Sequence, residues 1–237
     1  MRRLRGGWPA AAAVVAMAMA CSRQPPAPAD AAGLWRGILG SPGGDLPFGL
    51  EIEEAAGGLS ASLVNGGERT PPFPVEVRGD RWVARLGPRS EMTWSMDGEG
   101  RILGIWEIRR GLLPERMIVA ARREAGRFGP LPPGRRGDPG VDPAGEWDLL
   151  LVDERGSRPG TARLRREGKA LIGSLEAGEE AAGVMEGDVR DGVMRLSRFD
   201  GQRAVLVVGL VHPDRTMTGD LWTGATGHAS WSARPAP

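Results

Sequence analysis

Three side chains carry most of the chemistry this sequence could attempt: Cys21, the single cysteine, and the only two histidines, His212 and His228. A lone thiol cannot close a disulfide within the chain, form a Cys-x-x-Cys redox pair or supply a thiolate metal site. His212 stands in His-Pro-Asp, a turn sequence, and His228 in a glycine-flanked loop beside Trp231. With two histidines and no His/Asp cluster at ligand spacing, neither a metal site nor a general base is expected. Glu51 and Glu53 lie two residues apart on the face opposite Leu50 and Ile52, which reads as a solvated strand face and not as an acid–base pair. Asp220 beside Trp222 is a better candidate for an interior polar group, with no evident partner. G-x-S-x-G elbow, P-loop and Rossmann glycine set are all missing. The inventory predicts no catalytic residue, no cofactor and no enzymatic activity.

The cysteine has another use. Residues 1–21 read MRRLRGGWPAAAAVVAMAMAC: three arginines, an apolar run from Pro9 to Ala20, and a small residue before the cysteine. This is the order of a secretory signal, and the run is shorter than the ~20 residues a membrane span needs. Ala18-Met19-Ala20 would suit ordinary signal cleavage, while the cysteine that follows resembles the bacterial lipobox, with Ala18 where that motif usually has Leu. The resemblance implies that Cys21 is lipidated and becomes the mature N-terminus. Residues 21–32, rich in Pro and Ala, then read as a tether holding a body off a membrane. Ser22 in place of Asp implies, by the same resemblance, the periplasmic face of the outer membrane.

Bulk numbers narrow the partners. The 237-residue chain is 41% hydrophobic, enough to build a core. Removing residues 1–20 takes away Arg2, Arg3 and Arg5 and no acid, so a net charge of +1 becomes −2. A near-neutral body lacks the footprint of a nucleic-acid binder.

The body itself is written twice. Gly33-Leu34-Trp35 recurs as Gly145-Glu146-Trp147, an offset of 112 residues that also pairs Ile52 with Leu164, Ser62-Leu63 with Ser174-Leu175, and Ala121-Arg122 with Ala233-Arg234. One stretch slips: Leu103-Gly104-Ile105-Trp106 meets Thr218-Gly219-Asp220-Leu221-Trp222 at 115 or 116. The boundaries that follow are 33–124 and 144–235, joined by a Gly/Pro linker at 125–143.

Within each copy the apolar residues recur with period 2: Trp82, Ala84, Leu86; Met92, Trp94, Met96; Ala162, Leu164; Met194, Leu196. Turn signals such as Asn65-Gly66, Asp97-Gly98, Asp191-Gly192 and Asp200-Gly201 separate them, as in antiparallel hairpins. The prediction is all-β: a tandem duplication of an antiparallel meander of about eight strands, each copy closing into a small barrel, with a β-sandwich as the alternative.

The strings LSRFDGQRAVLVVGL and TMTGDLWTGATGHASWSARP of the second copy, with GLWRGIL and SLVNGGERT of the first, resemble the β-rich region that precedes the thioredoxin domain in bacterial TlpA-like (redoxin) proteins. That implies an envelope location and association with thiol-redox proteins. The cysteine pair of that family is absent, so no activity carries over. Gly33-x-Trp35 also resembles the lipocalin Gly-x-Trp, whose tryptophan closes one barrel end. With Gly37 it resembles the nitrobindin Gly-x-Trp-x-Gly, but copy one has no histidine to ligate haem.

Trp35, Trp94, Trp106, Trp147, Trp222 and Trp231 form a candidate pocket set, since tryptophans can line a cavity as well as fill a core. An eight-stranded barrel either fills with side chains or holds one small ligand. Two functions stay open: a lipid-anchored accessory module with an envelope protein partner, or a lipocalin-like carrier of a small apolar ligand. The copies are not equivalent, because both histidines fall in the second, so a site belongs to one copy or to the seam between them.

Overall fold

A strand that alternates apolar and polar residues can bury only one face, and a meander of such strands hides that face and its own edges by closing on itself. A computed structural model describes residues 31–123, 137–177 and 180–237, and there the chain does this twice. The expected signal segment 1–20, Cys21 and the tether up to residue 30 lie outside the described residues, as do residues 125–136 of the expected linker.

Copy one comprises β1 (Gly33–Ser41), β2 (Gly44–Ala55), β3 (Gly58–Asn65), β4 (Glu68–Arg69), β5 (Phe73–Arg78), β6 (Arg81–Gly87), β7 (Ser90–Met96), β8 (Ile102–Ile108) and β9 (Glu115–Arg122). The strands pair in the order β2-β1-β9-β8-β7-β6-β5-β3, and the β2–β3 pairing shuts the ring, leaving the two-residue β4 as an appendage of β3. Copy two comprises β10 (Gly145–Asp153), β11 (Gly156–Glu167), β12 (Ala170–Ala177), β13 (Glu180–Arg190), β14 (Val193–Phe199), β15 (Ala204–Val211), β16 (Met217–Thr223) and β17 (Gly227–Pro235), closed in simple sequence order. Both are eight-stranded antiparallel barrels, not sandwiches.

Each barrel is stoppered at one end by its first tryptophan. Trp35 Nε1 donates to the Ala31 carbonyl at 2.8 Å and Trp147 Nε1 to the Pro143 carbonyl at 2.9 Å, each four residues upstream. The Arg123 guanidinium lies 4.7 Å above the Trp35 ring. The described part of the linker folds across the matching end of barrel two, where Gly137 N–H donates to Asp191 O and Asp138 N–H to Val211 O. A Cβ on Gly137 would sit 2.3 Å from the Gly192 carbonyl, so this crossing needs glycine.

Strand register gives the correspondence between copies residue by residue. Trp35 faces Leu50 as Trp147 faces Ala162, both at offset 112. Trp82 faces Trp94, while its counterpart Met194 faces Gly209, so from β7 the offset is 115. Trp106 faces Met117 and Leu221 faces Ala229, which restores 112 at β9 and β17. Two loops carry the difference. Ten residues separate Leu196 from Val207, against seven between Ala84 and Met92. Six residues join β8 to β9, against three joining β16 to β17.

The longer β14–β15 hairpin fastens the barrels together. Phe199, on the outer face of barrel two, enters the unstoppered end of barrel one and meets Phe48 and Trp106 edge-on at 4.9 and 5.1 Å. Asn65 binds the Phe199 backbone on both sides, accepting from its N–H at 2.9 Å and donating to its carbonyl at 2.8 Å. Ser90 Oγ donates to the Gly201 carbonyl, Gln202 Nε2 to the Leu86 carbonyl, and Ser197 Oγ to the Pro47 carbonyl. The outer faces of β14 and β15 are therefore covered as well as the inner ones, and Val193, Phe199, Ala204, Leu206 and Val208 belong to the core of barrel one. Alternation with the inward Met194 and Leu196 puts Arg195 and Ser197 on the outer face of β14. Both are buried in this seam, and burial pushes the Arg195 guanidinium below its ordinary pKa despite Asp188 beside it.

Candidate ligand cavity

Barrel one is full. Trp35, Trp82, Trp94, Trp106 and Phe48 all point inward and none exposes more than 2% of its surface. Trp82 and Trp94 meet as a T at 6.0 Å, and Gly37 and Gly104 clear the space that the Phe48 and Trp94 side chains take. Trp106 Nε1 donates to Ser90 Oγ at 2.7 Å, which joins it to the second barrel through Gly201.

At the same inward positions barrel two carries smaller residues. Where copy one has Phe48, Trp82, Trp94 and Trp106, copy two has Gly160, Met194, Gly209 and Leu221. The exchange is partly repaid by Leu149 for Gly37 and by Trp231 for Val119, whose ring fills the space over Gly209 and Gly219. What remains is an open-mouthed cavity of about 1040 Å³ that Leu149, Leu151, Leu175, Val205, Leu221 and Ala229 line inside barrel two and that runs out between rim residues of both barrels. Trp106 is fully buried, whereas Leu221, at the matching inward position, is only half-buried because it borders this space.

The mouth is basic. Arg89, Arg109 and Arg110 of copy one and Arg155, Arg158 and Arg203 of copy two line it against Glu115, Asp153 and Glu154: six guanidiniums and three carboxylates on a chain whose total charge is +1. Arg110 donates to the Gln202 carbonyl, and Glu115 accepts from the Ala225 N–H, so both barrels build the rim. Arg158 is the inward one. It occupies the position of Leu46 in copy one, facing Leu151, and is ion-paired to Asp153. An open cavity with an apolar inner wall and a rim of arginines suits a molecule with a hydrocarbon body and an acidic head.

None of the six tryptophans expected to line a pocket borders this cavity. Trp35, Trp94 and Trp106 are core of barrel one, and Trp147 and Trp231 are core of barrel two below the chamber. Trp222 is on the outer face, where its ring packs against Gly43 of the β1–β2 turn. The slip that pairs Trp106 with Trp222 at 116 is one residue too long, and one residue turns a strand side chain to the opposite face. Asp220, expected inside, is outside too, where its carboxylate accepts from His228 Nε2 at 3.1 Å. His212 Nε2 meets Thr218 Oγ1 at 2.8 Å on the surface. Glu51 is held by Arg69 at 2.6 Å, and that hydrogen bond keeps its carboxyl below the ordinary range. Among the described residues no group of three or more His, Cys, Asp or Glu could hold a metal ion. The pocket residues left unread by periodicity alone, Arg158 and Leu221, become visible only when the copies are aligned and read for inward positions that change size or charge.

Neither a family model nor a curated protein matches the sequence. Among solved structures, the chain is similar to a protein of unknown function of the DUF3598 family from Nostoc punctiforme, at 14% identity and TM-score 0.28 over 86% of this chain and 96% of that one. It is also similar to a candidate outer membrane protein of Bacteroides fragilis, at 9% identity and TM-score 0.30 over 87% and 98%.

Proposed function

We propose that this protein is a non-enzymatic carrier that holds one small amphiphile in its second barrel, tail inward and acidic head at the mouth, while lipidated Cys21 keeps it on the bacterial envelope. The reading is carried by the asymmetry of the duplication. The same barrel is filled in copy one and hollowed in copy two, and the space of about 1040 Å³ is comparable to the roughly 300–1,000 Å³ of small-molecule pockets.

Displacement of anilinonaphthalene sulfonate tests it. Oleate is expected to displace this probe more readily than oleyl alcohol, which has the same tail and no charge. Arg158→Leu, which restores the copy-one residue, should weaken oleate about 10- to 100-fold and leave the alcohol within about threefold, since a charge-assisted hydrogen bond contributes ~1.5–3 kcal/mol. Equal displacement by both lipids, or by neither, overturns the proposal.

The anchor has its own test. Labelled palmitate should enter the wild-type chain and be lost entirely from Cys21→Ala; label retained in the variant excludes that attachment. The sequence resemblance adds an envelope thiol-redox protein as a partner class. Cross-linking in envelope extracts that recovers none would remove it.

A further inference from the structure

The six-residue β8–β9 loop, Arg109-Arg110-Gly111-Leu112-Leu113-Pro114, is the elaboration that copy one has and copy two lacks. Its two leucines are the most exposed large apolar side chains of the described protein, at 104% and 83% of full accessibility. Single exposed leucines are ordinary, but two adjacent ones at the summit of a hairpin, with no neighbour to cover them, forgo the stabilisation that burial would supply. The loop springs from the cavity rim, since Ile108, Arg109, Arg110 and Glu115 at its two roots all line the mouth. Its base is basic: Arg109 and Arg116 share Glu107, and Arg110 is held to barrel two through the Gln202 carbonyl.

We propose that this tip docks the mouth of barrel two onto an anionic lipid bilayer, Leu112 and Leu113 entering the interface and the rim arginines meeting lipid phosphates. Charge complementarity selects the partner. An apolar summit ringed by guanidiniums matches the depth profile of a membrane surface, with hydrocarbon beneath a layer of negative headgroups that attract each arginine near them. Docking there would place the cavity opening against the phase that holds amphiphiles, so the inference rests on the carrier reading but concerns a different surface.

Vesicle co-sedimentation of the secreted Cys21→Ala chain, which has no acylation site, tests the tip without the anchor. The protein is expected to sediment with vesicles of equal parts phosphatidylglycerol and phosphatidylcholine, and about tenfold more weakly with phosphatidylcholine alone. Adding Leu112→Ser and Leu113→Ser should cut binding to the mixed vesicles at least about tenfold, roughly 1.4 kcal/mol, with an unchanged unfolding midpoint because neither leucine packs on anything. Undiminished sedimentation of that variant, equal binding to both vesicles, or a tip that instead mediates a dimer lost on substitution overturns the proposal. Probe displacement in solution should be untouched by the two serines. Vesicle binding that persists while displacement fails would keep the docking tip and discard the carrier.

Discussion

Replacing Leu221 with tryptophan is expected to weaken amphiphile binding roughly a hundredfold and leave the fold intact. The position is the counterpart of Trp106, which in barrel one is wholly buried at the level where, in barrel two, Leu221 borders the cavity. The backbone there already accepts an indole once in this architecture, flanked by residues of the same inward register. In copy two the ring would point into the cavity and not into a packed neighbour, so overpacking strain should be small. A tail that loses about 100 Å² of apolar contact loses ~2.5 kcal/mol. Affinity for the displaced probe and for oleate should therefore fall roughly a hundredfold, while the free energy of unfolding shifts by less than about 1 kcal/mol or rises, because a void is filled. Equal affinity in the variant would mean that the ligand does not enter barrel two. The companion variant Trp222→Ala should leave affinity unchanged, since that ring is outside the barrel against Gly43.

The contrast between Leu221 and Trp222 also marks how far the sequence could be read. Period-2 runs and the offset of 112 suffice for two antiparallel barrels, because alternation and turn chemistry are local and each strand repeats the same message. The stoppers were legible for the same reason: Trp35 and Trp147 follow the same glycine at the same place. What decides the site is the register across the two loops whose lengths differ between copies. There an alignment error of one residue exchanges inside for outside, and an offset of 116 puts Trp222 and Asp220 on the wrong face. Pairing across the ladder removes the ambiguity, since Gly209 facing Gly219 fixes the offset at 115. The burial of Arg195 and Ser197 escaped for another reason. Their strand alternates as an exposed strand does, and only a partner surface from the other copy, 150 residues away for Ser197 and Pro47, covers the second face. A long-range contact between unlike copies leaves no periodic trace.

Phe199→Ala is expected to cost about 3–5 kcal/mol of unfolding free energy, the range for deleting a buried phenylalanine, and the loss should be felt in the barrel to which the residue does not belong. Phe199 is 0% exposed and closes the end of barrel one against Phe48 and Trp106. Its backbone is held by both ends of the Asn65 amide, so the loop cannot slide inward to fill the void. Gly201, at φ 86°, would bring a Cβ to 2.8 Å from that of Leu86, which leaves the hairpin no slack on that side either. A cavity that cannot collapse sits at the upper end of the range. Urea unfolding followed by tryptophan emission reads it directly, because Trp35, Trp82, Trp94 and Trp106 are all core of barrel one. Phe199→Leu, which retains most of the volume, should cost roughly 1.5 kcal/mol or less, and Asn65→Ala, which strands the Phe199 N–H and carbonyl, about 1–3 kcal/mol. If Phe199→Ala unfolds within about 1 kcal/mol of wild type, the seam is an adhesion between two self-sufficient barrels. If it falls by the full amount, copy two has become the lid of copy one, which explains why the first barrel could keep a filled core while the second was free to open a cavity at its own mouth.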